Sequence, residues 1–378
     1  VDAGAGGGVW GARQGGRVWG GGRGRVGRRA RGRASAGAVP GGQVVGGGRG
    51  GGDSAAWCAW RGLTVTLQDQ DADRLAPAMK RAARLFLERL KDPRRIRDAL
   101  DRLIPDVPGD GIAHADVIIE AIFENVDAKR KLFTDVEARA RPEAILATNT
   151  SSITLEEIAS ALRDPARLIG LHFFNPVSRM MLVEVVAGRD SDPGLVTRGA
   201  AFVRAIDKLP LPVKSAPGFL VNRVLAPYLM TAMRCVDEGI APEAVDDAAV
   251  AFGMPMGPIE LADTVGLDIC LAVGRMLGGE GETPRKLAEH VSAGELGRKT
   301  GQGFYRWVNG RAQKEAAASV PADLARRLVD PLVAEAKSAL ADGIVADADL
   351  VYAGAIFGAA FAPLRCGPFQ YARYPAAS

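Results

Sequence analysis

The sequence predicts an α/β Rossmann domain, with a doubly wound and mainly parallel sheet, followed by an all-α region made of two repeated helical units. Three observations predict this fold class. Strand-like and helix-like runs alternate from residue 43 to about residue 215, and a glycine-rich turn follows the first strand-like run. After Pro217 the strand-like runs fade, and helical patterns with Gly and Pro breaks replace them. Strand–helix alternation is typical of a parallel sheet covered by crossover helices.

Short apolar and β-branched runs predict the strands, and apolar residues at helical spacing predict the helices between them. The first strand is predicted at Val44 and Val45, and we expect Gly41 and Gly42 to cut it short. The other predicted strands are residues 63–67, 115–119, 144–148, 168–172 and 182–186. The predicted helices of this domain are residues 53–61, 73–90 and 127–140.

The helical region contains an internal repeat. Its first copy carries Arg223, Pro227, Gly239-Ile240, Phe252-Gly253 and Pro258, and its second carries Arg327, Pro331, Gly343-Ile344, Phe357-Gly358 and Pro363. The offset is 104 residues, and 105 after one insertion. We expect the two copies to pack on each other. The predicted domains are a tail over residues 1–42, a Rossmann domain over 43–215, and helical units over 216–313 and 314–378.

Residues 1–42 differ in composition from the rest of the chain, with eight arginines, sixteen glycines and one acidic residue. Such a segment buries too little apolar surface to offset its chain entropy, so we expect it to be disordered. The preferred interpretation is a tail without a function of its own, or a coding-frame artefact in a GC-rich gene. The alternative is an Arg/Gly-rich tail that binds nucleic acid, although we expect no nucleic acid partner.

The remaining composition is that of a globular protein. The chain is 47% hydrophobic with a net charge of +4, and the part beyond the basic tail is mildly acidic. Four cysteines (Cys58, Cys235, Cys270 and Cys366) follow no paired spacing, which argues against a disulfide framework or a zinc site and favours a reducing compartment. No apolar run approaches the roughly 20 residues of a membrane span. We therefore expect a cytoplasmic protein without a metal site.

A glycine-rich turn and one acidic residue predict a dinucleotide site. Gly46, Gly48 and Gly51 fit the G-x-G-x-x-G pattern, and Asp69 ends the second strand 23 residues after Gly46. The glycines allow a tight turn, approach to a pyrophosphate and close helix–strand packing, while the helix N-terminus offers N–H groups to the phosphates. A carboxylate at Asp69 accepts a hydrogen bond from the ribose 2′-hydroxyl and repels a 2′-phosphate. NAD is therefore the predicted cofactor.

His172 and Glu184 are the predicted acid–base pair. They lie on consecutive predicted strands, so the carboxylate can reach the imidazole and fix its tautomer. The sequence offers no such support for His114 and His290. An imidazole base, its orienting carboxylate and a nicotinamide cofactor are what an alcohol dehydrogenation needs.

Five motifs occur in order along the chain: residues 147–152 (ATNTSS), 170–176 (GLHFFNP), 217–223 (PGFLVNR), 254–258 (MPMGP) and 299–305 (KTGQGFY). Together they resemble the L-3-hydroxyacyl-CoA dehydrogenase family over nearly nine-tenths of the chain, from about Val44 onward. The chain is most similar to the dehydrogenase part of the multifunctional fatty-acid-oxidation (alpha subunit) proteins.

The resemblance implies NAD-dependent oxidation of L-3-hydroxyacyl-CoA to 3-ketoacyl-CoA in fatty-acid β-oxidation. It implies His172 as the general base and Glu184 as the acid that orients it. Ser151 and Asn222 match the family residues that hold the C3 oxygen as its charge develops. From the residues alone, Ser151 or Ser152 would instead cap the helix that follows.

The resemblance also implies that Glu124, Lys129 and Asn149 contact the nicotinamide end of the cofactor. Without it, these three residues would be interpreted as a solvated acid at a helix start, a lysine on a helix face and an Asx turn. The basic helix predicted over residues 73–90 corresponds to a family segment that contributes to coenzyme A binding, with a solvated basic face as the equal alternative.

The glycine loop departs from the family pattern at Arg49, Gly50 and Ser54, where the family usually has an apolar residue, Met and Ile. Extra glycine disfavours a helix by up to about 1 kcal/mol per position relative to alanine. We therefore expect thinner packing of the first helix and a weakened cofactor loop. A catalytically silent binding protein with the same fold is the alternative that this loop suggests.

The duplicated helical region points to the multifunctional subgroup. Only the tail stands where the hydratase domain normally precedes the dehydrogenase, so we expect a fragment or a stand-alone remnant. We therefore expect an acyl-CoA substrate, and a hydratase or thiolase as a candidate partner subunit. The short members of the family dimerise through their single helical unit, so oligomer formation stays open. Within the enzyme class, a 3-hydroxybutyryl-CoA dehydrogenase that works in the reductive direction also stays open.

Overall fold

The computed structural model describes residues 41–278, 283–317, 319–363 and 367–373. Of the predicted tail, residues 1–42, only Gly41 and Gly42 are among the described residues. The described part has an eight-stranded sheet in its N-terminal half and a helical region after it. This confirms the predicted fold class.

The sheet has the strand order β3-β2-β1-β4-β5-β6-β7-β8. Its strands are β1 (Gly41–Val45), β2 (Thr64–Gln68), β3 (Leu103–Pro105), β4 (Val117–Glu120), β5 (Ile145–Thr148), β6 (Leu168–Phe173), β7 (Leu182–Ala187) and β8 (Leu209–Lys214). Strands β1 to β6 are parallel, whereas β7 pairs antiparallel with β6 and parallel with β8. Strands β3 and β8 were not predicted from the sequence, because β3 is short and β8 contains Pro210 and Pro212.

Six helices accompany the sheet. They are α1 (Arg49–Trp60), α2 (Ala72–Arg89), α3 (Pro93–Asp101), α4 (Val126–Arg139), α5 (Leu155–Ala159) and α6 (Pro193–Ala205). Helix α1 begins four residues before its predicted start, because the glycines after Gly48 are themselves helical. Two single 3₁₀ turns, Asp110–Ala113 and Pro165–Arg167, complete this half of the chain.

The expectation that Gly41 and Gly42 shorten the first strand is wrong. Both residues belong to β1, where Gly41 pairs with Thr64 and Gly42 pairs with Val117 on the other side. A central strand is held by ladders on both edges, so its backbone hydrogen bonds outweigh the low strand propensity of glycine. The strand therefore carries the glycine loop from the middle of the sheet.

The helical region consists of α7 (Val221–Asp237), α8 (Pro242–Phe252), α9 (Pro258–Val265), α10 (Leu267–Gly278), α11 (Arg285–Ser292), α12 (Leu324–Ala341), α13 (Ala348–Phe357) and α14 (Pro368–Arg373). It also contains a hairpin of β9 (Arg306–Val308) and β10 (Arg311–Gln313), which the sequence analysis did not predict.

The internal repeat has a structural counterpart in matching ion pairs. Arg223 near the start of α7 pairs with Asp342 at the end of α12, with 2.5 Å between Nη2 and Oδ2. Arg327 near the start of α12 pairs with Glu238 at the end of α7. Each residue of the second pair lies 104 positions from its counterpart, so the two pairs are equivalent by the repeat. The helices α7 and α12 thus lie antiparallel. An arginine near the start of each helix pairs with an acidic residue at the end of the other.

The motif at residues 299–305 leads into the hairpin, which one buried carboxylate holds against the helices. Asp263 in α9 accepts hydrogen bonds from the backbone N–H groups of Phe304 and Tyr305, and from the indole N–H of Trp307, at 2.9 to 3.0 Å. Burial raises the pKa of Asp263 despite these donors. The motif therefore has a structural role away from the sheet.

Three of the cysteines, Cys58, Cys235 and Cys270, are buried and free. Burial raises the pKa of the Cys58 and Cys270 thiols to about 12. Among the residues that the structure describes, no helix is long and apolar enough to cross a membrane, and no group of acidic, His or Cys side chains is placed to bind a metal. Cys366 lies outside the described residues.

Candidate active site

The predicted glycines form a turn at the carboxyl end of β1, beside the point where the strand order reverses between β1 and β4. Gly46 has φ +117°, and a Cβ there would lie 2.5 Å from the carbonyl oxygen of Ala121. A Cβ on Gly51 would lie 2.1 Å from the carbonyl oxygen of Gly46. Glycine is therefore required at both positions, by backbone conformation and by close packing.

Gly48 stands in a different environment, because a Cβ there would meet nothing within 4 Å. It is the N-cap residue of α1, and no side chain caps the helix. The open space and the uncapped N–H groups fit a pyrophosphate, which binds to the positive end of a helix. The three glycines thus have the three geometries that a dinucleotide loop needs.

Asp69 follows β2 and faces this loop. Its Oδ2 accepts a hydrogen bond from the backbone N–H of Gly47 at 2.7 Å. The carboxylate is therefore anchored beside the loop, where it suits a ribose 2′-hydroxyl and disfavours a 2′-phosphate.

Near the departures from the family pattern, the loop makes contacts of its own. The Ser54 hydroxyl donates to the carbonyl of Gly50 at 2.9 Å, and its side chain is buried. Arg81 on α2 donates to Asp53 at 2.9 Å and to the carbonyl of Gly48 at 3.0 Å. These bonds tie the start of α1 to its own turn and to α2.

Glu124, after β4, and Ser151, after β5, are in direct contact. One oxygen of Glu124 accepts from the backbone N–H of Ser151 at 2.6 Å and from its hydroxyl at 3.0 Å, and Thr150 donates at 3.0 Å. Burial would raise the pKa of Glu124, but Lys129 and these hydrogen bonds outweigh it and hold the pKa below the usual carboxyl value. The side chain is 37% exposed and its carboxylate is hydrogen-bonded, so it is not the fully solvated acid of the alternative interpretation.

Lys129 lies beneath this carboxylate. Its side chain is 1% exposed, and Nζ lies 2.6 Å from Glu120 and 3.4 Å from Glu124. Glu120 also accepts from the Thr148 hydroxyl at 2.7 Å. Lys129 is therefore part of a buried network that supports Glu124, and its direct contact with a cofactor stays a prediction.

Asn149 joins the ends of two strands. Its Oδ1 accepts a hydrogen bond from the backbone N–H of Phe173 at 2.8 Å, and its amide nitrogen would lie 3.3 Å from a Cβ on Gly50. The side chain therefore sits between the glycine loop and the end of β6, rather than forming an Asx turn alone.

His172 and Glu184 face each other as partners in the antiparallel pairing of β6 and β7. The distance from His172 Nδ1 to Glu184 Oε2 is 2.7 Å, and the side chains are 7% and 0% exposed. The predicted contact between these two side chains is confirmed. With Nδ1–H donated to the carboxylate, the other nitrogen, Nε2, is the basic one.

The second oxygen of Glu184 reaches the helical region. Its Oε1 accepts from the backbone N–H groups of Leu220 and Val221, at 3.0 and 2.9 Å, where α7 begins. Asn222, one residue on, donates from Nδ2 to the carbonyl of Ser151 at 3.3 Å. The start of α7 therefore meets both halves of the predicted site.

Neither Ser151 nor Ser152 caps the next helix, so that interpretation is wrong. Helix α5 begins later, and Thr154 caps it in a reciprocal arrangement with Glu157. The spacing Thr154-x-x-Glu157 is that of a capping box and was readable in the sequence. Ser151 therefore has no capping role, and it bonds Glu124 at the carboxyl edge of the sheet.

Four residues of this region were not predicted as site residues from the sequence: Glu120, Thr148, Thr150 and Phe219. The first two belong to the network beneath Glu124, and Phe219 packs on His172. An acid at the end of a buried strand, as at Glu120, is a readable signal for a buried partner. Phe219 has no such signal, because its importance depends on the fold.

Comparisons with known proteins agree with this geometry. Residues 43–216 match the family model of the 3-hydroxyacyl-CoA dehydrogenase NAD binding domain, and residues 218–307 match that of the 3-hydroxyacyl-CoA dehydrogenase C-terminal domain. The fatty acid oxidation complex subunit alpha of Ectopseudomonas oleovorans is 33% identical over 350 residues, which are 85% of this chain and 49% of that protein. The chain thus spans about half the length of the curated relatives it matches.

Solved structures of two 3-hydroxybutyryl-CoA dehydrogenases are also similar. The enzyme from Escherichia coli K12 has a TM-score of 0.78 at 27% identity, covering 89% of this chain and 92% of its own. The (S)-3-hydroxybutyryl-CoA dehydrogenase of Ralstonia eutropha has a TM-score of 0.66 at 33% identity, covering 72% of this chain and all of its own (100%). With both domain models and these relatives matched over most of the residues, the chain belongs to the 3-hydroxyacyl-CoA dehydrogenase family.

Proposed function

We propose that the chain oxidises L-3-hydroxyacyl-CoA to 3-ketoacyl-CoA with NAD as the hydride acceptor. The single observation that carries this proposal is the buried His172–Glu184 pair, which lies at the same carboxyl edge of the sheet as the glycine loop and Glu124. A base, a charged partner that orients it and a dinucleotide loop are the minimum for this reaction.

In this proposal His172 removes the proton of the 3-hydroxyl group with Nε2. Glu184 holds the ring by its Nδ1–H and stabilises the positive charge that the ring gains. Bound NAD supplies the chemistry of hydride acceptance at C3. Gly46, Gly48 and Gly51 would hold its pyrophosphate, and Asp69 its adenine-side ribose.

Ser151 and Asn222 hold the C3 oxygen as negative charge develops on it. Asn222 donates to the carbonyl of Ser151, so its side chain lies against the backbone of Ser151. The Ser151 hydroxyl donates to Glu124 in this structure and has to rotate to donate to a substrate oxygen. Glu124 and Asn149 line the cofactor side of the same space, with Lys129 behind Glu124.

The test is NADH oxidation by the purified chain with acetoacetyl-CoA, followed by absorbance. His172→Ala should lower kcat by about 10² to 10⁴-fold, the range that general bases contribute. His290→Ala is the matched control, because His290 also bonds a carboxylate, Glu295, at 2.6 Å but lies in α11. A His172→Ala protein that keeps the wild-type rate would overturn the proposal.

Two alternatives are decided by the same assay. The silent binding protein predicts that NADH binds without turnover, and the geometry of Gly46, Gly48 and Gly51 supports cofactor binding in either case. The second alternative is a 3-hydroxybutyryl-CoA dehydrogenase that works in the reductive direction, and the similarity to proteins named 3-hydroxybutyryl-CoA dehydrogenase supports its short acyl substrate. Comparing kcat/KM for C4 and C16 substrates in both directions separates these possibilities.

The relatives are named as subunits of a fatty acid oxidation complex, which supports an acyl-CoA substrate and a partner subunit. We propose a hydratase or a thiolase as that partner, and a cytoplasmic location. Co-purification from cells with a tagged chain tests this. Recovery of neither enzyme with an active dehydrogenase would contradict the partner proposal alone.

A further inference from the structure

Phe219 adopts a backbone conformation that its residue type rarely takes. Its φ is +50°, directly after Gly218 at φ +71°, and its side chain is 0% exposed. A left-handed conformation is unfavourable for a bulky residue, and such residues are concentrated at functional sites. The surrounding structure must therefore hold Phe219 in place.

This conformation sets the direction in which α7 begins. The two residues after Phe219 donate their N–H groups to Glu184 Oε1, at 3.0 and 2.9 Å. The N-cap residue of α7 is Leu220, whose apolar side chain accepts no hydrogen bond. Glu184 thus satisfies N–H groups that a helix start leaves free, and its negative charge suits the positive helix end.

The side chain of Phe219 contacts His172, the other member of the His172–Glu184 pair. Its ring centroid lies 5.7 Å from that of His172, with an interplanar angle of 59°. A second ring, that of Phe174, lies 4.5 Å from the imidazole. The imidazole is therefore held by one hydrogen bond at Nδ1 and by contact with two aromatic rings.

We propose that Phe219 is a positioning residue for the base. Its ring orients the imidazole of His172, and its left-handed backbone aims the start of α7 at the carboxylate of Glu184. The inference rests on the proposed function, because it requires His172 to act as the base. The ring of Phe219 contacts His172, and the two residues after it bond Glu184, so Phe219 should act on the chemical step rather than on cofactor binding.

The test compares Phe219→Leu with Phe361→Leu. Phe361 is equally buried at 0% exposure, but it lies after α13 and its ring contacts Phe252. We expect Phe219→Leu to lower kcat by about 10 to 100-fold, the scale of a misplacement of about 1 Å, while KM for NADH stays near the wild-type value. Phe361→Leu should keep the wild-type kcat.

Two further measurements separate a positioning role from a loss of folding. Phe219→Met fills the same space with an adaptable side chain, so it should fold and still lose kcat. The proton NMR signal of the imidazole N–H bonded to Glu184 should shift or broaden in both variants at position 219, and remain in Phe361→Leu.

Unchanged kcat in the two Phe219 variants, with His172→Ala inactive, would overturn the inference and leave the proposed function intact. Equal loss of kcat in Phe219→Leu and Phe361→Leu would also overturn it. Wild-type activity of His172→Ala would overturn both.

Discussion

Ser151 gives both its backbone N–H and its hydroxyl to one oxygen of Glu124, at 2.6 and 3.0 Å. The two residues follow adjacent parallel strands, β5 and β4, and meet at the carboxyl edge of the sheet. The residue predicted to hold the substrate oxygen is therefore bonded to the residue predicted to contact the cofactor. Binding of the cofactor beside Glu124 should therefore change the affinity for the substrate beside Ser151, and binding of the substrate should change the affinity for the cofactor.

Glu124→Gln should weaken NADH binding and lower the stability of the fold. The pKa of Glu124 lies below its ordinary value of 4.5 in the folded chain, so its stabilisation is complete above that value and is lost as pH falls through the folded pKa. The side chain is 37% exposed, so we expect only about 1 kcal/mol. The difference in unfolding temperature between the wild type and Glu124→Gln should be constant from about pH 6 to pH 8. It should shrink below pH 4.5. Glu88→Gln, on the surface of α2, is the control, and a difference that grows on acidification would contradict the argument.

Gly48→Ala and Gly51→Ala should separate cofactor binding from folding. Gly48 has an ordinary φ of −58° and open space around a Cβ, so alanine fits and the unfolding temperature should hold while NADH affinity falls. The Cβ of an alanine at position 51 would lie 2.1 Å from the carbonyl oxygen of Gly46, so the stability of the fold should fall as well. Calorimetry with NADH and thermal unfolding measure the two effects. Full NADH affinity in Gly48→Ala would contradict the assignment of this loop.

Glu184→Ala should destabilise the chain as well as inactivate it. It leaves the N–H groups of Leu220 and Val221 buried without a partner, and each unsatisfied donor costs about 1 to 3 kcal/mol. Glu295→Ala removes the other His–Glu pair, in which the carboxylate is 40% exposed, and should cost about 1 kcal/mol or less. Urea unfolding measures both, and equal losses would show that the contact with α7 contributes nothing.

Asp69→Asn should relax the choice between cofactors. Asparagine keeps an oxygen for the N–H of Gly47 but removes the negative charge. The ratio of kcat/KM for NADPH to that for NADH should rise by about tenfold or more, the scale of one hydrogen bond to a charged group. Asp71→Asn, the N-cap residue of α2, is the control because its side chain bonds only the start of its own helix. An unchanged ratio would place the ribose elsewhere.

Much of this molecule followed from the sequence by itself. Alternation of strand and helix determined the Rossmann order, because parallel strands need crossover connections. The spacing of Gly46, Gly48, Gly51 and Asp69 placed the loop and its acid at one edge of the sheet. His172 and Glu184 could be paired in advance, since consecutive strands bring such residues opposite each other.

Tertiary structure decided the rest, because it depends on contacts between segments distant in the chain. Only the fold buries Lys129 with Glu120 and bonds Ser151 to Glu124. Only packing on both edges makes Gly41 and Gly42 part of a central strand. The left-handed conformation of Phe219 and the capping of α7 by Glu184 leave no pattern in the sequence, since they arise where the sheet meets the helical region.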